Sequence, residues 1–224
     1  MLRPTSPVFA LCVYLGLALV NCHVAQAGDP CARGDLKVSP AVRSDTLHFK
    51  WTGLIGSPMS ERISAEVGKA KSSVRSVVLI LSSCGGDLRQ AERVIDALRD
   101  VKKTRFLETR VDPGAMCGSA CIPVFLQGTR RRAALTSAWL FHEVSRGRTK
   151  DRAKGIVDRA ITERIFQDYF SSAGVSETWL NQLRVMVQHS DYWQTGQNLW
   201  ENKSGIITDP IDNHVPRRTE RLRY

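Results

Sequence analysis

Residues 116–121 read MCGSAC, which places the hydroxyl of Ser119 between small neighbours and two cysteines. A serine becomes a nucleophile when a base takes its proton, a third group orients the base, and backbone amides stabilise the oxyanion. His142 lies at the end of an apolar stretch and is a candidate base. Asp191, beside two aromatic residues, is a candidate carboxylate to orient it. These residue types indicate acyl transfer, although a serine among small residues is by itself more often a packing position.

A glycine pair could supply the oxyanion donors. Gly85 and Gly86 follow a continuous apolar run and precede an amphipathic stretch that Asp87 can cap. Because glycine has no Cβ, either residue can turn its backbone N–H toward a substrate oxygen. The amide of Ala120, directly after the candidate nucleophile, can supply a second donor. We therefore expect Gly85 or Gly86 to act together with Ala120.

Other side chains could act as the base in principle. Lys150 and Lys154 would give a Ser-Lys dyad, but both fall where exposed charges begin a predicted helix. His189, two residues before Asp191, is expected at the surface. The histidines and cysteines do not have zinc-ligand spacing. The sequence therefore predicts neither a metal nor a cofactor.

The elements that must position these residues alternate between strands and helices. Strands are predicted at 46–55, 74–83, 104–111, 133–144 and 205–208, and helices at 57–71, 87–101, 119–126, 151–172, 176–187 and 196–201. The second strand is apolar throughout its core, which is typical of burial on both faces of a parallel sheet. The pattern predicts an α/β fold with mostly parallel strands. In such folds ligand sites gather at the carboxyl ends of strands, where Gly85 and Ser119 both fall.

The first 27 residues have the pattern of a secretory signal peptide. Arg3 is followed by an apolar run at 8–20, and small residues precede a cleavage position after Ala27. The apolar run is shorter than the roughly 20 residues that span a bilayer, which disfavours an uncleaved anchor. A lipoprotein site at Cys22 is disfavoured by the large residue before it. We predict export to the periplasm or the exterior.

The remaining chain is predicted to form one globular domain, 28–213, followed by a basic tail, 214–224. The hydrophobic fraction of the full sequence, 42%, excludes a disordered chain, and no Gly- or Pro-rich linker divides residues 28–213. The formal net charge of +10 is concentrated partly in residues 130–132 and in the tail. The tail could contact an anionic membrane surface, whereas nucleic acid binding is disfavoured because no aromatic residues are interleaved. Residues 130–132 are expected to be solvated surface.

Four cysteines follow the predicted leader: Cys31, Cys84, Cys117 and Cys121. An even number in an exported protein suggests disulfides, with three connectivities if all pair. Cys117 and Cys121 are four residues apart. On one continuous helix their Cβ vectors would run side by side, which disfavours a bridge between them.

Several segments resemble one known family in order. The string VVLILSSCGGDLRQAERVIDALRD is similar to the strand, SPGG turn and helix of the Clp protease proteolytic subunit. CGSACIPVFLQG resembles the segment around the nucleophilic serine of that family, and WLFHEV resembles the strand that carries its histidine. The handle helix of the family, its next helix and the segment that carries its aspartate resemble RAITERIFQDYFSSAGVSETWLNQLRVMVQHSDYW. The closing strand of the family resembles GIITDPI. The resemblance covers roughly 47–211.

The resemblance implies a ClpP/crotonase-like spiral of repeated strand-strand-helix units, with a mostly parallel sheet and a protruding handle-like helix. It implies a homo-oligomer in which the helix at 151–172 packs between subunits. By position it implies that Ser119 is the nucleophile, His142 the base and Asp191 the carboxylate that orients the base. It implies that Gly85 or Gly86, together with Ala120, donates to the oxyanion.

The family usually has proline where this chain has Cys84, so a disulfide to a neighbour such as Cys117 could tie the glycine turn. An exported chain has neither ATP nor ATP-driven unfoldases, so no ATPase partner is expected. The sequence thus predicts an exported serine peptidase that cleaves peptides, flexible segments or unfolded chains through an acyl-enzyme. Two alternatives stay open: a catalytically silent module that binds peptides or proteins, and a crotonase-like acyl-thioester enzyme.

Overall fold

The computed structural model describes residues 28–39, 45–146, 156–188 and 190–211. The predicted signal peptide and basic tail, together with Lys150, Lys154 and His189, lie outside the described residues. Within these ranges no helix has the length and apolar character needed to cross a membrane.

Two sheets carry the architecture. The main sheet has the spatial order β1 (Asp35–Ser39), β2 (Thr46–Thr52), β3 (Ser76–Ser82), β4 (Phe106–Val111), β6 (Arg130–Ala134) and β11 (Asp209–Ile211). Its neighbouring strands are parallel except β1 with β2. A smaller sheet has the order β10 (Tyr192–Thr195), β7 (Ala138–Phe141) and β5 (Met116–Gly118), and β8 (Ser145–Arg146) pairs with β9 (Ile156–Val157). The predicted mixed α/β fold with a mostly parallel sheet is confirmed.

Six helices pack around these sheets in the described ranges. They are α1 (Met59–Lys69), α2 (Leu88–Thr104), α3 (Cys121–Phe125), α4 (Arg159–Ile165), α5 (Glu177–Val187) and α6 (Gly196–Glu201). A π-helical turn and a 3₁₀ turn extend α4 as far as Ala173.

Helix α2 forms for the reasons that the sequence indicated. The side chain of Asp87 accepts a hydrogen bond from the Gln90 amide at 2.9 Å, which satisfies a donor that the first turn leaves open. One face of the helix is buried, and its Val94, Ile95 and Leu98 side chains are inaccessible to solvent. Each large apolar side chain buried in this way contributes about 1.5–3 kcal/mol. The helix therefore holds the glycine turn that precedes it against the core.

The predicted strand at 133–144 is in fact two strands in different sheets. The chain turns after β6, where the Ser137 amide donates to the Ala134 carbonyl at 3.0 Å. The Ser137 hydroxyl is buried and accepts a hydrogen bond from the Trp139 indole at 2.9 Å. This turn separates β6 from β7, so His142 follows a strand of the smaller sheet.

Other boundaries also differ from the prediction. Within the described residues the helix predicted at 151–172 begins only at Arg159, because Asp158 caps it by accepting from the Ile161 amide at 3.0 Å. The last strand lies at Asp209–Ile211 rather than at 205–208. Strands β1, β5, β8, β9 and β10 have no counterpart among the predicted strands, and β9 lies where the sequence predicts a helix.

The disulfides correct two expectations. Cys31 bonds to Cys84, and Cys117 bonds to Cys121. The second pair forms because the two residues do not share a helix: Cys117 lies in β5 and Cys121 begins α3. The chain reverses between them and brings their Cα atoms to 5.4 Å. The suggested bridge between Cys84 and Cys117 is wrong.

This pairing predicts a specific result from disulfide mapping. Under non-reducing conditions all four cysteines should resist alkylation, and proteolytic peptides should be linked as Cys31 with Cys84 and Cys117 with Cys121. Mass spectrometry before and after reduction measures both. A peptide that links Cys84 to Cys117 would contradict the structure.

Candidate active site

Ser119 occupies a sharp turn between β5 and α3. Its φ of 50° is uncommon for a residue other than glycine. Its amide donates to the Leu140 carbonyl at 2.8 Å, and its carbonyl accepts from the Ile122 amide at 3.0 Å, so both backbone groups are fixed. A serine held on a strained turn from strand to helix is a known arrangement for presenting a nucleophilic hydroxyl. The side chain is half-buried.

The smaller sheet brings the three candidate catalytic residues to one edge. Strands β5 and β7 are parallel and end together, whereas β10 is antiparallel to β7 and begins at that same edge. Ser119 follows β5, His142 follows β7, and Asp191 precedes β10. Neighbouring strands lie about 4.8 Å apart. The order along this edge is therefore carboxylate, imidazole, hydroxyl.

The imidazole of His142 has one engaged and one open nitrogen. Nδ1 lies 2.7 Å from the Glu143 carbonyl oxygen, which can only accept, so Nδ1 carries the hydrogen. In the neutral ring Nε2 is then the acceptor. Nε2 is buried and has no hydrogen-bond partner in the described part of the chain. Buried polar atoms ordinarily have a hydrogen-bond partner. An imidazole nitrogen that acts as a general base must instead be open to accept a proton from another group.

The backbone of Glu143 is a contributor that the sequence did not reveal. Its carbonyl fixes the tautomer of His142, a task that the sequence assigned to Asp191 alone. Its carboxylate lies 3.5 Å from the Arg159 guanidinium and so faces α4. Asp191 is exposed at the edge of the sheet. Only the position of Glu143 next to the histidine could have suggested its role.

The glycine turn leaves one amide open. The Gly85 amide donates to the Ser83 hydroxyl at 3.2 Å, and the Gly85 carbonyl accepts from the Ile55 amide at 2.7 Å. By contrast, the amides of Gly86 and Ala120 donate to no partner among the described residues. Of the two glycines, Gly86 therefore has the donor that a substrate oxygen could use, and Ala120 has the second.

The turn and the serine are in direct contact. A Cβ added at Gly85, where φ is 123°, would lie 2.7 Å from the Ser119 Cβ and 3.3 Å from its Oγ. A Cβ at Gly86, where φ is 154°, would lie 2.1 Å from the Ile55 carbonyl oxygen. No side chain fits at either position. The close approach of the two segments thus requires both glycines.

Ser83 positions this contact and was also missed. It is fully buried, its amide donates to the Met116 carbonyl at 2.9 Å, and its carbonyl accepts from the Gly118 amide at 2.9 Å. It therefore joins the end of β3 to β5, and its hydroxyl also holds the Gly85 backbone. The signal in the sequence is a small polar residue at the end of an apolar strand.

Comparison with solved structures shows that the chain has a ClpP-like fold. ClpP1 from Listeria monocytogenes aligns with a TM-score of 0.54 at 16% identity, over 75% of this chain and 92% of that chain. A point mutant of the same protein aligns with a TM-score of 0.53 at 15% identity, over 76% of this chain and 92% of that chain. No protein-family model matches the sequence. No curated protein matches it either.

The contact between Gly85 and Ser119 predicts a large effect of Gly85→Ala. Gly114 is a matched control, because its φ of 70° is also positive and nothing lies within 4 Å of an added Cβ. Gly114→Ala should lower the free energy of unfolding by only about 1 kcal/mol. Gly85→Ala should lower it by about 1–3 kcal/mol more, because of overpacking against Ser119. Urea denaturation measures both, and equal losses would contradict the contact.

Proposed function

We propose that this protein is an exported serine peptidase with Ser119 as nucleophile, His142 as base and Asp191 as a second group that stabilises the imidazolium. The observation that carries the proposal is the strand order of the smaller sheet, which aligns the three residues along one edge. The open Nε2 of His142 and the strained turn at Ser119 support it. The ClpP-like fold is consistent with a peptidase-like hydrolase.

In this proposal the reaction has two steps. The Ser119 Oγ attacks the peptide carbonyl while Nε2 of His142 takes its proton, and the amides of Gly86 and Ala120 stabilise the oxyanion. The imidazolium then protonates the leaving amine, and a water activated by His142 hydrolyses the acyl-enzyme. The Glu143 carbonyl holds Nδ1 throughout. The Ser119 hydroxyl does not bond to Nε2 of His142 in the structure, and catalytic hydrogen bonds of this kind commonly tighten only when substrate binds.

Export and the substrate class belong to the same proposal. The leader pattern in the sequence supports export, and two disulfides support an oxidising compartment such as the periplasm. Without ATP outside the cytoplasm, no unfoldase feeds the site, so the substrates are peptides or unfolded segments.

A homo-oligomer is the third part of the proposal, with the handle-like segment between subunits. The exposed apolar side chains of β9, Ile156 at 77% and Val157 at 45%, support contact through this segment.

A second candidate, a catalytically silent module that binds peptides, is favoured by one observation. No hydrogen bond joins the Ser119 hydroxyl to His142. In that case the glycine turn and the open amides of Gly86 and Ala120 would hold the main chain of a peptide without cleaving it. The two candidates differ in whether the serine is activated.

A fluorophosphonate probe separates the two candidates. The wild-type protein should be labelled, Ser119→Ala should not be labelled, and His142→Ala should be labelled at least about 1,000-fold more slowly. The matched control is His48→Ala, because His48 is exposed on β2, and its labelling should equal that of wild type. In-gel fluorescence measures the rates. A folded wild-type protein that is not labelled would favour the silent module.

The orienting groups of His142 predict a graded effect at Asp191. Because the Glu143 carbonyl already fixes the tautomer, Asp191→Asn should slow labelling by about 10- to 100-fold, less than the loss in His142→Ala. Asp96→Asn is the control, since Asp96 is an exposed carboxylate on α2. If Asp191→Asn and Asp96→Asn are labelled at the same rate, Asp191 has no role in the site. The Glu143 carbonyl would then be the group that orients His142.

A further inference from the structure

The three arginines of β6 do not share one environment. Strand alternation places Arg130 and Arg132 beside Glu108, at 4.0 and 3.9 Å, on one face of the sheet. Arg131 lies on the opposite face and is only 8% exposed. The expectation that residues 130–132 are solvated surface is therefore wrong for Arg131. The reason is the two-residue period of a strand, which turns alternate side chains inward.

Arg131 is a buried cation without a carboxylate. Its Nε donates to the Ile206 carbonyl at 2.8 Å and its Nη2 donates to the Gly205 carbonyl at 2.7 Å. Within the described ranges no Asp or Glu forms an ion pair with it. Burial lowers the pKa of the Arg131 guanidinium, but an arginine remains charged in proteins. Buried charges are ordinarily paired, so the missing anion needs an explanation.

Arg131 lines a cavity of about 410 Å³ between α2, the end of α3 and the turns after α4. Arg99 and Lys102 from α2 line the same cavity, together with Tyr169 and Thr129. No carboxylate belongs to its lining in the part of the chain that the structure describes. Burial is the main cause that raises the pKa of Tyr169, which keeps its hydroxyl protonated as a donor.

A larger cavity of about 780 Å³ adjoins this one and shares Lys102 and Thr129 with it. Arg75 and Arg105 add two further cations to its lining, against the single carboxylate of Asp45. Positive charge thus continues along this side of the molecule. Arg131 is the second residue of β6, so the cavity lies at the amino-terminal edge of the main sheet, whereas Ser119 lies beyond the carboxyl end of β5.

We propose that the cavity lined by Arg99, Lys102 and Arg131 binds a tetrahedral oxyanion of the phosphate type. A guanidinium fixed by two backbone carbonyls presents its remaining N–H groups in a rigid fork, which suits such an oxyanion. Lys102 adds a mobile point charge, and the Tyr169 hydroxyl adds a neutral donor. The site does not depend on the proposed peptidase activity.

The test is a titration of the full chain with inorganic phosphate at constant ionic strength, balanced with sodium chloride. Phosphate should raise the thermal unfolding midpoint of the wild-type protein saturably, since a ligand that binds only the native state stabilises it. Isothermal titration calorimetry gives the affinity directly. Equal midpoints in phosphate and in chloride, without measurable heat of binding, would overturn the proposal.

The matched pair is Lys102→Ala and Lys103→Ala, adjacent substitutions on α2 with the same change of charge. Lys103 pairs with Asp100 at 2.6 Å and does not line the cavity. Lys102→Ala should weaken phosphate binding about fivefold, as expected for one lost charge near the surface, and Lys103→Ala should leave it unchanged. Arg131→Gln should abolish binding. If that variant does not fold, the lysine pair still decides, and equal affinities of the two lysine variants would contradict the site.

Discussion

The backbone bridge between Ser83 and Cys117 is the interaction on which the candidate site depends. Ser83 directly follows β3 of the main sheet, and Cys117 lies in β5 of the smaller sheet, so this bridge joins the two sheets. The main sheet supplies the glycine turn, and the smaller sheet supplies the serine, the histidine and the aspartate. If the bridge shifted by one residue, Gly85 would no longer face Ser119. The buried Ser83 hydroxyl adds to the constraint, because it bonds to both backbone groups of Gly85.

The two disulfides stabilise this junction in different ways. The bond between Cys31 and Cys84 closes a loop with a sequence separation of 53, so it removes considerable freedom from the unfolded chain, about 4 kcal/mol in the chain-entropy account. It ties the segment before β1 to the glycine turn. The bond between Cys117 and Cys121 spans only four positions and, in the same account, removes about half as much chain entropy, about 2 kcal/mol. Its consequence is local, because it holds the turn in which Ser119 has its positive φ.

The sequence predicted those parts of the fold that short-range physics determines. The apolar run of β3, the cap of α2 and the glycine turn between them are local signals, and the structure has a strand, a cap and a turn at these positions. The division between β6 and β7 depends instead on hydrogen bonds of Ser137 within a turn, which the apolar pattern of 133–144 hides. The sequence disfavours a bridge between Cys117 and Cys121 only if one helix includes both residues, and the structure has no such helix. The residue types at Ser119, His142 and Asp191 indicated acyl transfer, and the family resemblance implied the same roles by position. The Glu143 carbonyl, by contrast, has no side-chain signature at all.

Arg131 shows how one residue can connect β6 to the segment that leads into the neighbouring strand β11. Its guanidinium holds the carbonyls of Gly205 and Ile206, and the chain then continues into β11, which pairs with β6 in parallel. A hydrocarbon side chain could fill the same volume without the cost of a buried charge, but it could not bond to those carbonyls. The two carbonyl dipoles stabilise the guanidinium, but they leave the net positive charge of the site unchanged. An anion in the adjoining cavity would supply the rest, and it would stabilise the start of β6 and the approach to β11 together.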